Sequence, residues 1–326
     1  MSQIRKFMNH HFRHFNARET VAAARGWETL IDDGGQMFVT LAGAMSTAEL
    51  GISLAQMIRQ GKVSAICATA ANLEEDIFNL LENKSYKLLP DYRDLSPGQE
   101  HQLYEDGWNR VTDTCIPETV MRNVEGVLIE AWAAAASRNE SYYPYEYIYD
   151  FLDRPGIEDL FGVPREHSWV LAAKEMGLPI YTPGYEDSTL GNIFTARVLD
   201  GTIASHSAIR SGTEQLAHLA AWYLQRVDEG VPVGFFQIGG GIAGDFSICV
   251  VPMLIQDLKR EVPFWAYFAQ IGDSTTSYGS YSGAVPNEKI TWGKLDANTP
   301  RFMINSDASI VAPLIFAYVL GDALAQ

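Results

Sequence analysis

The chain has 326 residues, is 47% hydrophobic and 20% charged, and carries a formal net charge of -16. This is ordinary globular composition for one large domain or two small ones, and its negative charge disfavours nucleic acid and anionic membranes as partners. Three widely spaced cysteines, Cys67, Cys115 and Cys249, argue against a disulfide framework and a cysteine metal centre, and suggest a reducing, cytoplasmic setting.

Residues 1–36 are expected to form an N-terminal helical extension, and residues 37–326 a single domain. The first 25 residues are basic and histidine-rich and lack the apolar core of a secretory signal. His10 and His14 are four apart, but no carboxylate or cysteine completes a ligand set nearby, so no metal is expected. Met37 to Leu41 reads as a strand. Ser46 to Glu49 reads as a capping box that opens a helix closed by Gly61. Val63 to Ala68 is a second strand, followed by Thr69 to Asp76 at the start of another helix. The stretch from Tyr86 to Phe161 is aromatic, acidic and poorly periodic, and is expected to be an irregular segment packed on the domain. Leu178 to Thr182 is a strand, and Ser211 to Glu214 caps a helix through Arg226. Val233 to Ile238 is a strand that runs into glycines and a helix through Lys259. Phe264 to Gln270 and Phe302 to Asn305 complete the strands. Ile310 to Leu324 reads as a buried helix, since Pro313, Gly321 and Asp322 interrupt it as a membrane span. Short buried strands separated by helices predict an α/β fold, with a parallel sheet covered on both faces.

Several segments carry chemistry. Gly239 to Gly244 fits G-x-G-x-x-G between a strand and a helix, the setting of a dinucleotide-binding turn; tight helix–strand packing is the other reason for such glycines. Ala42 to Ser46 and Thr69 to Asp76 are small-residue turns at the carboxyl ends of successive strands, where open α/β sheets bind ligands. Glu74, Glu75 and Asp76 follow, and helix-dipole capping also accounts for acids there. Asp187 to Asn192, Gly279 to Gly283, and Ser306 to Ser309 are further strand-end or loop segments. In Ile290 to Lys294 a lysine follows an indole and a glycine. A desolvated lysine has a lowered pKa and can offer the neutral amine that imine chemistry needs. On the pentapeptide alone, a surface lysine at a strand end is the more ordinary reading.

In order along the chain, TAANLEED (69–76), NR (109–110), DSTLGN (187–192), GGG (239–241), ITWGK (290–294) and DAS (307–309) resemble deoxyhypusine synthase and its prokaryotic relatives. The resemblance runs from about Phe38 to Ala325. It implies a Rossmann-like fold, a homotetramer with NAD at subunit interfaces, and transfer of an aminobutyl group from a polyamine such as spermidine to an acceptor amine. By resemblance, Lys294 forms the imine and Asp245 stands where the family has a catalytic histidine. Glu74, Glu75, Asn192, Gly240, Asp245, Tyr281, Glu288 and Trp292 would contact the polyamine. Ala42, Gly43, Ala44, Met45, Ser46, Thr69, Ala70, Ala71, Glu75, Asp187, Asp307 and Ala308 would line NAD. Three positions depart from the family pattern: Asn192 and Tyr281 replace acids, and Asp245 replaces the histidine. These departures keep two alternatives in view, a homospermidine synthase using putrescine and a non-catalytic NAD-binding tetramer.

Overall fold

The computed structural model describes residues 2–276 and 281–321. Gly279 and Ser280 of the glycine–serine loop, and the tail beyond Gly321, lie outside the described residues.

Two helices open the chain, α1 (Gln3–His11) and α2 (Phe15–Asp32), and lead into β1 (Gln36–Leu41). Helix α3 (Gly51–Arg59), strand β2 (Ala65–Ala68) and helix α4 (Ala70–Glu82) follow. A small antiparallel sheet comes next, built from β3 (Lys87–Leu88), β4 (Trp108–Val111) and β5 (Thr114–Pro117), with α5 (Pro97–Glu105) between the first two. Then come α6 (Glu118–Ser137), α7 (Pro144–Leu152), α8 (Trp169–Glu175), β6 (Ile180–Tyr181), α9 (Thr189–Leu199) and α10 (Gly212–Asp228). The last third holds β7 (Val233–Ile238), α11 (Gly241–Ile248), α12 (Val250–Pro252), β8 (Tyr267–Gly272), α13 (Glu288–Thr291), β9 (Arg301–Asn305) and α14 (Ala308–Leu320).

The main sheet has six strands in the order β6-β2-β1-β7-β8-β9, every neighbour parallel. Successive strand residues face opposite sides, so each strand feeds two cores. Met37, Val39 and Leu41 of β1 and Phe236 and Ile238 of β7 join one core with Trp27 of α2, Leu54 of α3 and Phe316 of α14. Phe38 and Phe235 face the other core with Trp222 of α10, Ala243 of α11 and Trp265. This double coverage explains why the strands are apolar throughout rather than alternating. The α/β expectation therefore matches the architecture.

Three local expectations are corrected. Ser46 does not cap a helix: its hydroxyl donates to Asn72 O and its amide to Asn72 Oδ1, while Glu49 takes a left-handed φ of 56° and α3 begins at Gly51. A buried asparagine thus outcompetes the local capping box. The helix after the triple glycine does not continue to Lys259; α11 and α12 give way to a π-helical turn over Met253–Asp257, with Pro252 unable to donate within a continuous helix. The aromatic middle is not irregular. It contains the small sheet and the 20-residue α6, and its tyrosines are packing elements. Tyr147 donates its hydroxyl to Ala208 O and Tyr149 donates to Leu178 O. Among the described residues, no helix is long and apolar enough to cross a membrane, and no three metal-ligating side chains cluster.

Candidate active site

Strands run outward in sequence from β1 to β2 to β6 on one side and from β7 to β8 to β9 on the other. Their junction, β1 beside β7, is a topological switch point, where an open α/β sheet leaves a crevice at its carboxyl edge. A cleft of about 450 Å³ opens there, lined by Ala42, Gly43 and Met45 after β1, Gly239 and Gly240 after β7, and Ser306 to Ala308 after β9. Its size falls in the range of small-molecule and cofactor sites.

The glycines of this edge are explained by geometry. Gly239 has φ of 74°, and a Cβ there would stand 3.1 Å from Ala42 Cβ. A Cβ on Gly240 would lie 2.0 Å from Ser282 Oγ. A Cβ on Gly244 would meet the Gln237 side chain at 2.8 Å, which is the close helix–strand approach expected of a third fingerprint glycine. The Gly240 contact seats the 281–283 loop on the turn. Tyr281 Oη donates to Gln237 Oε1 at 2.9 Å, and Gln270 Nε2 donates to Ser282 O at 2.6 Å. Two strand glutamines thus fix where the Tyr281 ring stands.

Beside this turn lies the lysine site. α13 ends in a Schellman motif: Gly293, with φ of 68°, donates to Ile290 O at 3.0 Å, and Lys294 N donates to Lys289 O at 3.1 Å. The reversal turns Lys294 inward, and it is 6% exposed. Its Nζ donates to Asp245 Oδ1 of α11 at 2.9 Å. The Tyr281 ring centroid is 5.2 Å from Nζ and that of Trp292 is 5.9 Å away. Cys249 Sγ reaches Asp245 Oδ1 at 3.5 Å, and burial raises its thiol pKa. Lys294 is thus a buried, tightly paired side chain and not a surface lysine at a strand end. Gly293→Ala forces a side chain into the left-handed region, so a stability loss of about 1–2 kcal/mol is expected in urea unfolding, together with lost lysine placement.

The structure brings together only part of the expected set. Ala42, Gly43, Met45, Asp307, Ala308 and Gly240 share the cleft. Ala44 opens onto an adjoining cleft with Met45, Thr47, Tyr86 and Ser309. Tyr86 Oη lines that cleft and, like Glu75 Oε2 of α4, is buried without a partner among the described residues; burial raises the Glu75 carboxyl against the opposing hydrogen bonds of Thr47. Asp245, Tyr281 and Trp292 surround Lys294, although Trp292 is itself 62% exposed. Glu288, exposed, opens α13 directly before the buried Lys289, on which its charge acts, and no ion pair forms to it among the described residues.

Other members sit elsewhere. Ser46 is buried and also accepts from Trp169 Nε1 at 3.0 Å. Thr69, Ala70 and Ala71 open α4 at the end of β2, with Thr69 Oγ1 accepting from Asn72. Asp187 is exposed beyond the edge strand β6. Asn192 spends its amide on the carbonyls of Glu186 and Ser188. Glu74 caps α9: its two oxygens accept from Thr189 N at 2.8 Å and Leu190 N at 2.7 Å. Glu74 is therefore corrected from an amine contact to a helix cap, because backbone donors already occupy both oxygens.

Sequence reasoning missed Lys289. It is 2% exposed, and its Nζ lies 4.8 Å from the ring centroids of both Phe268 and Tyr281. Desolvation, followed by the Lys294 charge, lowers its pKa to about 8. The available signal was its spacing, since Lys289 and Lys294 are the two positions a Schellman motif brings into contact.

Comparison with known proteins bears on this site. The deoxyhypusine synthase sequence family matches residues 5–319. A relative from Cyanothece sp. named deoxyhypusine synthase-like protein is 30% identical over 302 residues, covering 90% of this chain and 73% of that one. An Archaeoglobus fulgidus protein named "probable deoxyhypusine synthase 1" is 26% identical, covering 94% of this chain and 90% of its own. A crystal structure from Entamoeba histolytica, assigned to deoxyhypusine synthase, covers 97% of this chain and 92% of its own with a TM-score of 0.56 and 13% identity, which bears on the fold. With a matching fold, a family match along nearly its whole length and these relatives, the chain belongs to the deoxyhypusine synthase family.

Proposed function

We propose that this protein is an NAD-dependent transferase that moves an aminobutyl group from a polyamine to an acceptor amine through an imine on Lys294. The observation that carries this reading is the buried Lys294 ammonium, paired with the half-exposed Asp245 and flanked by the Tyr281 and Trp292 rings. The residues at the sheet edge suit NAD: the cleft is walled by backbone and mostly small side chains, with Gly239 in the left-handed region and Gly240 too close to Ser282 for a Cβ. Ala42, Gly43, Met45, Asp307 and Ala308 would hold the dinucleotide, and Glu75 of α4 is a further candidate by resemblance. When bound, NAD supplies a hydride acceptor and donor.

The chain's own residues then handle protons and the covalent link. Asp245 takes a proton from the Lys294 ammonium, which frees the nitrogen lone pair. That lone pair adds to the carbon of the oxidised donor's C=N bond. The departing amine leaves with the proton that Asp245 returns, and Lys294 keeps the four-carbon unit as an imine. An acceptor amine reverses the sequence and restores Lys294. The Tyr281 and Trp292 rings face the cationic species, which an aromatic π face stabilises. A homotetramer in a cytoplasmic setting, with the cleft closed by a second subunit, belongs to the same proposal.

Incubation with NAD and either spermidine or putrescine, followed by borohydride reduction, tests it. A reduced aminobutyl adduct mapped to Lys294 is the expected result. No adduct at Lys294 with spermidine or putrescine would sink the reading.

A further inference from the structure

The Lys294 pocket holds a second cation that the proposed reaction does not use. The C3 and C″ positions of a Schellman motif normally meet in an apolar contact. Here they are Lys289 and Lys294, so the turn that aims Lys294 also packs the Lys289 stem beside it. Lys289 Nζ sits between the faces of Phe268 and Tyr281, both 4.8 Å away. Its one hydrogen-bond partner among the described residues is Gln270 Oε1, at 3.5 Å. Phe268 and Gln270 are alternate residues of β8 and so share a face. Two aromatic faces and a carbonyl oxygen are the apparatus by which proteins seat an ammonium ligand. The Tyr281 ring belongs to both seats, since Lys294 Nζ lies 5.2 Å from it.

The charge count points the same way. Asp245 is engaged by Lys294, and Glu288 is exposed. No further carboxylate of the described residues pairs with Lys289. A polyamine entering this pocket would bring several more ammonium groups to a place that already holds two lysines. Unpaired buried charge of one sign is strongly disfavoured.

We propose that Lys289 is a specificity-determining residue: it fills, with the chain's own amine, the aromatic seat that a further ammonium of a triamine would take, so the donor bound beside Lys294 is a diamine. This inference rests on the amine-transfer reading above and deepens it. Lys289 does not form the imine; it removes one cation position from the site.

The test is calorimetric binding of spermidine and of 1,4-diaminobutane to the full chain with saturating NAD. The wild type, Lys289→Met and Lys289→Gln are compared. The wild type is expected to bind the diamine at least about tenfold more tightly than spermidine. Lys289→Met empties the seat while keeping its stem packed, and spermidine should then bind at least about tenfold more tightly, with the diamine changing less than about threefold. Lys289→Gln should move the same way and serves should the methionine variant misfold. Unchanged or weaker spermidine binding in the variants, or wild-type preference for spermidine, overturns the inference. If a borohydride adduct still maps to Lys294 in that case, the imine reading stands without it. If no form binds either amine and no adduct appears, both readings fall.

Discussion

Lys294→Ala is expected to lower amine transfer by on the order of 10⁴-fold or more, because the nucleophile that carries the four-carbon unit is gone. Lys294→Arg should fail equally. A guanidinium stays protonated and forms no imine, even though it keeps the charge opposite Asp245. NAD affinity in both variants should stay within about twofold by fluorescence titration, since the cleft is lined by residues after β1, β7 and β9 and not by Lys294. The fold should tolerate the change. Asp245, the partner left behind, has a side chain 50% exposed and can be solvated by water. A variant that transferred the group at near wild-type rate would remove Lys294 from the chemistry. One that lost NAD binding in parallel would show a collapsed site instead.

Asp76→Ala is expected to be the most destabilising single change at the sheet edge, at roughly 3–5 kcal/mol. That is a large share of the 5–15 kcal/mol typical of a domain. Asp76 Oδ2 accepts from the Ser168 hydroxyl and, at 3.0 Å, from Val170 N, while Oδ1 takes Trp169 N at 3.3 Å. The carboxylate therefore caps α8 from inside the core. Removing it strands three buried donors. Space is also tight there, because a Cβ on Gly51 would lie 2.8 Å from Asp76 Oδ1 and 2.6 Å from His167 O. Urea unfolding measures the loss. A shift below about 1 kcal/mol would mean that water replaces the cap without penalty.

The two capping acids also set a pH dependence. Burial pushes Glu74 from 4.5 up to about 7 and Asp76 from 3.8 up to about 7, against the opposing pull of the amides they accept from. Between the unfolded and folded values, the folded chain holds more protons than the unfolded one, so stability falls as pH rises. Their contribution is complete below about pH 4 and lost above about pH 7. The melting temperature should therefore be higher at pH 5.5 than at pH 8. Glu74→Gln and Asp76→Asn should each flatten that slope in differential scanning calorimetry. An unchanged slope in both variants would move the effect to the general negative charge.

Much of this was legible along the chain. Strands β1, β2, β7, β8 and β9 announce themselves as short apolar runs because both faces of a parallel sheet are buried. Ser211 caps α10 with Glu214 as its spacing predicts. The glycines at 239, 240 and 244 marked a close turn, and Lys294 stood out after an indole and a glycine. These are local properties, since backbone conformation and side-chain period depend on residues within a few positions.

What the sequence by itself determined is thus the order of elements, the small-residue turns at strand ends and the lysine to watch. Only the tertiary structure decided which carboxylates serve the fold and which face the site. Glu74 and Glu75 are neighbours in sequence, yet one caps α9, more than a hundred residues away, and the other is buried beside Thr47 in the turn after β1. Ser46 looked like a helix cap until Asn72, from the next strand–helix unit, took its polar atoms. Lys289 drew no attention in the sequence, and only the packing of Phe268 and Tyr281 around it marks it. In each case the deciding partner is distant along the chain. Burial and hydrogen-bond satisfaction are settled by the packing of whole elements, which no local spacing encodes.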